Sequence, residues 1–120
     1  MKIAITSHGN TLDSNIDSRF GRAIGYIIWD TDTRTFEYRD NMQVLNAPHG
    51  AGIQAAQAVV NFGAQVVITG HLGPNAFRAL NAAGVKMLLK LNGTVKDAIQ
   101  EYENGTLRQA NGADVEGHWV

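Results

Sequence analysis

The sequence contains no cysteine. That absence excludes disulfides, thiolate zinc sites, cysteine-ligated iron–sulfur clusters and thiol nucleophiles together. Neither sign of charge dominates: ten Lys and Arg against eleven Asp and Glu leave a net charge of −1. Such a balance gives no global field to draw nucleic acid or an anionic membrane, although a local basic patch stays open. Long apolar runs are missing too. The opening Met1–Ile5 turns polar at Thr6, too soon for a signal peptide, and no stretch could span a bilayer. The expected location is the cytoplasm, with no nucleic-acid or membrane partner. No internal repeat and no interdomain linker divide the chain.

What remains is an ordinary globular composition. The 120 residues suit one domain, and 44% hydrophobic with 18% charged residues argues against wholesale disorder. Ile3 and Ile5 alternate with Ala4 and Thr6, which predicts a first strand over 2–7. Residues 8–24 show no period and read as a long loop, of a length that is often functional. Tyr26–Asp30 and Thr35–Arg39 flank a polar turn and predict an antiparallel hairpin, so the sheet is mixed. Ile53, Ala56, Val59 and Val60 recur at helical spacing before Gly63. Gln65–Gly70 reads as a strand buried on both faces. Pro74 opens a helix to Ala83, Val85–Lys90 predicts another strand, and Thr94 with Asp97 resembles a capping box for a last helix to Glu103. The expectation is an α/β domain over 1–105, a five-stranded mixed sheet covered by helices, with 106–120 as a flexible tail.

In such sheets ligands collect at the carboxyl ends of the parallel strands. The loops expected there are rich in glycine and histidine: Ser7–Asn10, Pro48–Gly52, Thr69–Ala76 and Leu91–Thr94. Glycine lets a ligand approach the backbone, and three helix N-termini pointing one way would suit a bulky anion. The plainer reading is that these glycines only make turns. His8, His49 and His71 lie in these loops; without cysteine, imidazole is the natural metal-ligating candidate, although a lone loop histidine is usually a surface or capping residue. His118 lies in the tail, where a structural role is the better reading. Arg19 and Arg22 flank Phe20 and Gly21. Their guanidinium groups suit oxyanions or sulfide-rich anions, and Phe20 could cover a soft ligand; the alternative is that either arginine pairs with Asp13 or Asp17 to pin the loop. Met87, inside a strand, reads as core.

At these residues the chain resembles the dinitrogenase iron–molybdenum cofactor-binding family. The resemblance rests on Met1–Ile5, Arg19–Ala23, Gly50–Ile53, Ile68–Phe77 and Ala83–Lys86. It implies a ribonuclease-H-like fold whose second strand is antiparallel. Members carry, store or help assemble metal–sulfur clusters and are not generally enzymes. The implied cargo is a molybdenum–copper sulfide cluster held noncovalently, with an iron–molybdenum-type cluster as the other candidate. A cell-division-type ATPase is an implied protein partner. The family's motif arginine and phenylalanine fall on Arg19 and Phe20, and its rim histidine on His71. Some members carry an acidic residue near position 8, where this chain has His8.

A cluster already saturated by sulfide needs no thiolate, only an apolar cradle, N–H donors and positive charge. The expected lining is His8, Arg19, Phe20, Arg22, His49, Gly50, His71, Leu72 and Asn75. In it the arginines offset charge, Phe20 and Leu72 exclude water, and His49 and His71 donate hydrogen bonds or reach a metal. A ribonuclease-H-like nuclease would need converging carboxylates, and the first strand has none. Ser7 lies outside any nucleophile-elbow motif. A nucleotide- or phosphate-binding module, or a protein-interaction module partnered with an ATPase, is the alternative, although no phosphate-loop or dinucleotide fingerprint appears.

Overall fold

The computed structural model describes residues 1–42 and 50–113. Among them, six strands form one sheet: β1 (Lys2–Ser7), β2 (Gly25–Asp30), β3 (Thr35–Asp40), β4 (Ala64–Thr69), β5 (Lys86–Leu89) and β6 (Arg108–Gln109). Three helices are described: α1 (Ala51–Asn61), α2 (Pro74–Ala82) and α3 (Val95–Asn104). The strand order is β3-β2-β1-β4-β5-β6. β1, β4 and β5 run parallel, whereas β2 is antiparallel to both β1 and β3, and β6 is antiparallel to β5. The mixed sheet and its antiparallel hairpin are as the sequence predicts.

The sheet has six strands where the sequence suggests five. The extra strand lies in the segment expected to be a tail: Gln109 pairs with Leu88 and Arg108 with Leu89. Ala110 then donates its N–H to the Met87 carbonyl at 2.9 Å and is buried. A two-residue strand has no alternation to detect, so only the pairing reveals it. His118 lies outside the described residues.

Helices α1 and α2 cover one face of the sheet and α3 covers the other. On the first face Ala4, Tyr26, Ile28, Val67 and Met87 meet Ala51, Ala55, Ala56, Val59 and Leu80. On the second Ile3, Ile5, Ile27, Val66 and Ile68 meet Val95, Ala98 and Ile99. The central strands are therefore buried on both sides, which is why β4 reads as a nearly continuous apolar run. Helix α1 departs from the sequence expectation. Its buried stripe is Ala51, Ala55, Ala56 and Val59, while Ile53 is 50% exposed and Val60 37%. Small residues face inward because α1 lies close against α2: a Cβ built on Gly52 would stand 3.2 Å from the Ala76 Cβ.

Candidate functional site: the carboxyl edge of the sheet

Because β1, β4 and β5 are parallel, they end at one edge, where β3 also ends and β2 begins. All three helices start there. The long loop between β1 and β2 is laced across this edge by main-chain bonds. Asp17 N–H reaches the Thr6 carbonyl (3.0 Å), Ile16 N–H the Gly93 carbonyl (2.9 Å), and His71 N–H the Ser18 carbonyl (2.7 Å). Phe20 N–H donates back to the His71 carbonyl at 3.3 Å, so Arg19 and His71 lie side by side on adjacent segments. Gly70 is required here, since an added Cβ would come within 2.7 Å of the Ser18 carbonyl oxygen.

Asp17 is the hub of the loop. It is only 2% exposed, yet its carboxylate is well supplied with donors. Oδ1 accepts the Arg19 N–H at 3.2 Å and Oδ2 the Ile24 N–H at 3.1 Å. His8 Nδ1 stands 3.6 Å from Oδ2. The Thr6 hydroxyl donates to the Asp17 carbonyl at 2.6 Å and lies 2.8 Å from the Thr69 hydroxyl, which ties the loop to the ends of β1 and β4. Asn41, also buried, donates its amide to the Gly21 and Ala23 carbonyls. Below the loop, burial first and the Asp17 charge second push the Tyr26 phenol far above its ordinary range, so it stays protonated. A buried aspartate that turns the loop by binding backbone N–H groups is a feature the sequence reading missed; the Asp17-Ser18-Arg19 turn chemistry was its only signal.

The residues singled out from the sequence divide into three groups. His8, Arg19 and Asn75 are exposed on the edge, and Arg22, Gly50 and His71 are half-buried there. Gly50 has φ 77° at the start of α1, a conformation in which a side chain is strained. Phe20 and Leu72 do not form a surface: both are fully buried. Phe20 packs against Tyr26 with ring centroids 6.3 Å apart, so the two are the floor under the edge. His49 lies outside the described residues.

The three helix N-termini differ. α3 closes its own end: the Thr94 hydroxyl accepts the Asp97 N–H at 3.1 Å and the Asp97 carboxylate accepts the Thr94 N–H at 3.1 Å. Those backbone and hydroxyl hydrogen bonds hold the Asp97 carboxyl below its usual range. Among the described residues, α1 and α2 have no side-chain cap and no acid in the first turn. The expected three-way convergence of free N–H groups is therefore two-way, from a pair of touching helices. Around them the edge exposes apolar side chains: Ile24 (42%), Met42 (55%), Ile53 (50%) and Leu91 (59%). Ile24 and Leu91 fall in segments that read as loops, whereas Ile53 reads as core from its helical spacing; packing, not residue type, leaves the four exposed.

Two clefts flank the Leu91-Asn92 corner of this edge. One, of ≈ 380 Å³, is lined by His8, Asn15, Ile16, Ser18, Leu91, Asn92 and Gly93. The other, of ≈ 480 Å³, includes His71, Leu89, Lys90 and Arg108. Among the described residues no three of His, Asp and Glu converge as a ligand set for a bare metal ion. No helix among them is long and apolar enough to cross a membrane.

Residues 1–105 match the family described as dinitrogenase iron-molybdenum cofactor. The chain belongs to that family. Its fold and sequence are close to the apo form of the orange protein from Desulfovibrio gigas, with 43% identity and a TM-score of 0.92 over 95% of this chain and 96% of that one. A Thermotoga protein provisionally assigned as NifB is 36% identical, with a TM-score of 0.84 over 97% and 98% of the two chains. An uncharacterised protein of Methanocaldococcus jannaschii is 22% identical over 91% of each chain.

Proposed function

We propose that this chain binds and carries a metal–sulfur cluster at the carboxyl edge of its sheet. A sulfide-capped cluster is a soft anion: it is held by N–H donors, positive charge and apolar surface without thiolates. The observation that carries the reading is the coincidence of all three at one edge in a member of this family. Among the described residues, no side chain caps the first turn of either of two touching helices, and neither turn holds an acid. Arg19 and Arg22 belong to a loop fixed by a buried aspartate, and four large apolar side chains are exposed along the same edge. This edge suits outer contacts to a preformed cluster better than capture of a bare ion.

The finer reading is a molybdenum–copper sulfide cluster, with an iron–molybdenum-type cluster as its rival. On this reading the chain is a carrier and not a catalyst. We take the strand order β3-β2-β1-β4-β5, with its antiparallel second strand, as a ribonuclease-H-like framework. The test is to mix the apo-protein anaerobically with tetrathiomolybdate and copper, desalt it, and record the visible spectrum and metal content. A retained chromophore with stoichiometric molybdenum and copper is expected. If the protein emerges without metal, the cluster reading fails and a phosphate- or nucleotide-binding role replaces it.

A further inference from the structure

The last strand brings to the carboxyl edge a charge that the family pattern does not include. The family match ends at residue 105, and Arg108 lies beyond it in β6. β6 is firmly held. Its two residues pair with Leu88 and Leu89, and the buried Ala110 donates its N–H to the Met87 carbonyl at 2.9 Å. The register fixes the face on which Arg108 stands. It is opposite Leu89, which packs on the α1 and α2 side of the sheet, and Ala110 is buried in that same cluster. Side chains alternate along a strand, and directly opposite residues share a face. Arg108 is therefore on the face that the two open helices cover.

Arg108 and His71 line one cleft of ≈ 480 Å³. His71 is tied in turn to the arginine loop: its N–H reaches the Ser18 carbonyl at 2.7 Å, and it lies beside Arg19. The edge is thus continuous from Arg19 through His71 to Arg108. β4 and β6 are two strand spacings apart, about 10 Å. Within the cleft Lys90 and Glu101 pair with each other, so their charges cancel. The exposed Arg108 guanidinium has no acid partner among the described residues. Leu89 and Leu91 add apolar wall. A guanidinium is weakly hydrated and donates through a planar fork, so beside apolar surface it suits a large soft anion better than a small hard one. The geometry points to Arg108 as a third cargo-binding arginine, with the His71–Arg108 cleft holding one end of an elongated metal–sulfide anion by outer contacts alone. The assignment rests on the carrier reading only for the identity of the anion.

Two measurements on the full chain test it. In the first, ¹⁵N-labelled apo-protein is titrated with tetrathiomolybdate, a soft dianion, and the arginine side-chain Nε–H signals are followed. The Arg108 signal should move and saturate, while that of Arg34, which Glu103 holds at the opposite edge, should stay. In the second, the molybdenum–copper sulfide cluster is reconstituted and its affinity compared among variants. Arg108→Gln should bind it about 5- to 10-fold more weakly. Arg108→Lys should recover part of the loss, because it keeps the charge but not the fork. Arg34→Gln makes the same change in net charge and should bind as wild type does. The unfolding midpoint of Arg108→Gln should match wild type, because main-chain bonds and Ala110 hold β6. Unchanged affinity in Arg108→Gln, an equal loss in Arg34→Gln, or an Arg108 signal silent to both probes would each overturn the assignment. The two readings fail separately. A wild type that retains no cluster but shows the Arg108 response to tetrathiomolybdate loses the carrier reading alone. One that retains the cluster equally well as Arg108→Gln loses this assignment alone.

Discussion

The N-termini of α2 and α3 lie at the same edge of the same sheet, yet the chain treats them oppositely. At α3, Thr94 and Asp97 exchange hydrogen bonds with each other's backbone and close the helix. At α2 the cap is Gly73, the first turn holds Pro74 and Asn75, and no side-chain cap bond forms among the described residues. α1 repeats the second pattern with Gly50 at its cap. Over glycine a capping side chain gains only a few tenths of a kcal/mol, and α1 and α2 forgo it where Arg19, Arg22 and the exposed apolar residues gather. The helix that closes itself is the one across the sheet from them, packed on Ile3, Ile5 and Ile68. The difference separates a terminus built for stability from a pair left open to an anion.

The strongest way to break this comparison is to remove what lies beneath the open pair. Phe20→Ala deletes a fully buried ring from the core under the arginine loop and should cost about 3–5 kcal/mol by denaturant unfolding. A cost near zero would mean that the loop is not seated on the core. Next, Thr94→Ala should cost about 1 kcal/mol, because it removes the hydroxyl that accepts the Asp97 N–H. Metal retention should be unchanged, since that terminus is already closed; a loss of cargo in this variant would erase the distinction between the two termini.

A smaller change reverses the sign. Asn75→Asp puts a carboxylate in the exposed first turn of α2, where it should stabilise the helix by about 0.3–1 kcal/mol. The same charge should lower cluster retention by repelling the anion, so stability and function move in opposite directions. Equal retention in this variant would place the cargo elsewhere. The smallest effect is a pH dependence. Asp97 titrates below its ordinary range because backbone and hydroxyl bonds favour its ionised form, so its contribution is present in full above the ordinary carboxylate range. It is lost as pH falls through the lowered value. Thermal melts of wild type and Asp97→Asn should therefore converge at acid pH, and a constant difference would rule out the ionised cap.

Much of this framework was legible in the sequence, and the reasons are local. The capping box, Pro74 at the start of α2 and the β2–β3 hairpin are each set by a few neighbouring residues. The parallel strands announce themselves by apolar runs. What escaped depends on residues distant in sequence. β6 exists only because Arg108 and Gln109 find the free edge of β5. From sequence Phe20 and Leu72 read as cargo-facing, but burial is decided by what packs around them, and both lie fully buried in the core cluster. Ile53 keeps a helical period and still faces solvent, because the inward stripe of α1 is Ala51, Ala55, Ala56 and Val59, and the helix passes close to α2 at Gly52. From sequence Asp17 is a candidate partner for an arginine side chain, whereas its carboxylate accepts the main-chain N–H groups of Arg19 and Ile24.

The most direct test of the account is a residue-resolved comparison of amide ¹H–¹⁵N spectra with and without the reconstituted cluster. The account predicts that the largest changes fall on 17–24, 50–53 and 71–76, with the closed terminus at 94–97 little affected. Changes centred on 94–97 or on β3, with the open termini silent, would contradict it.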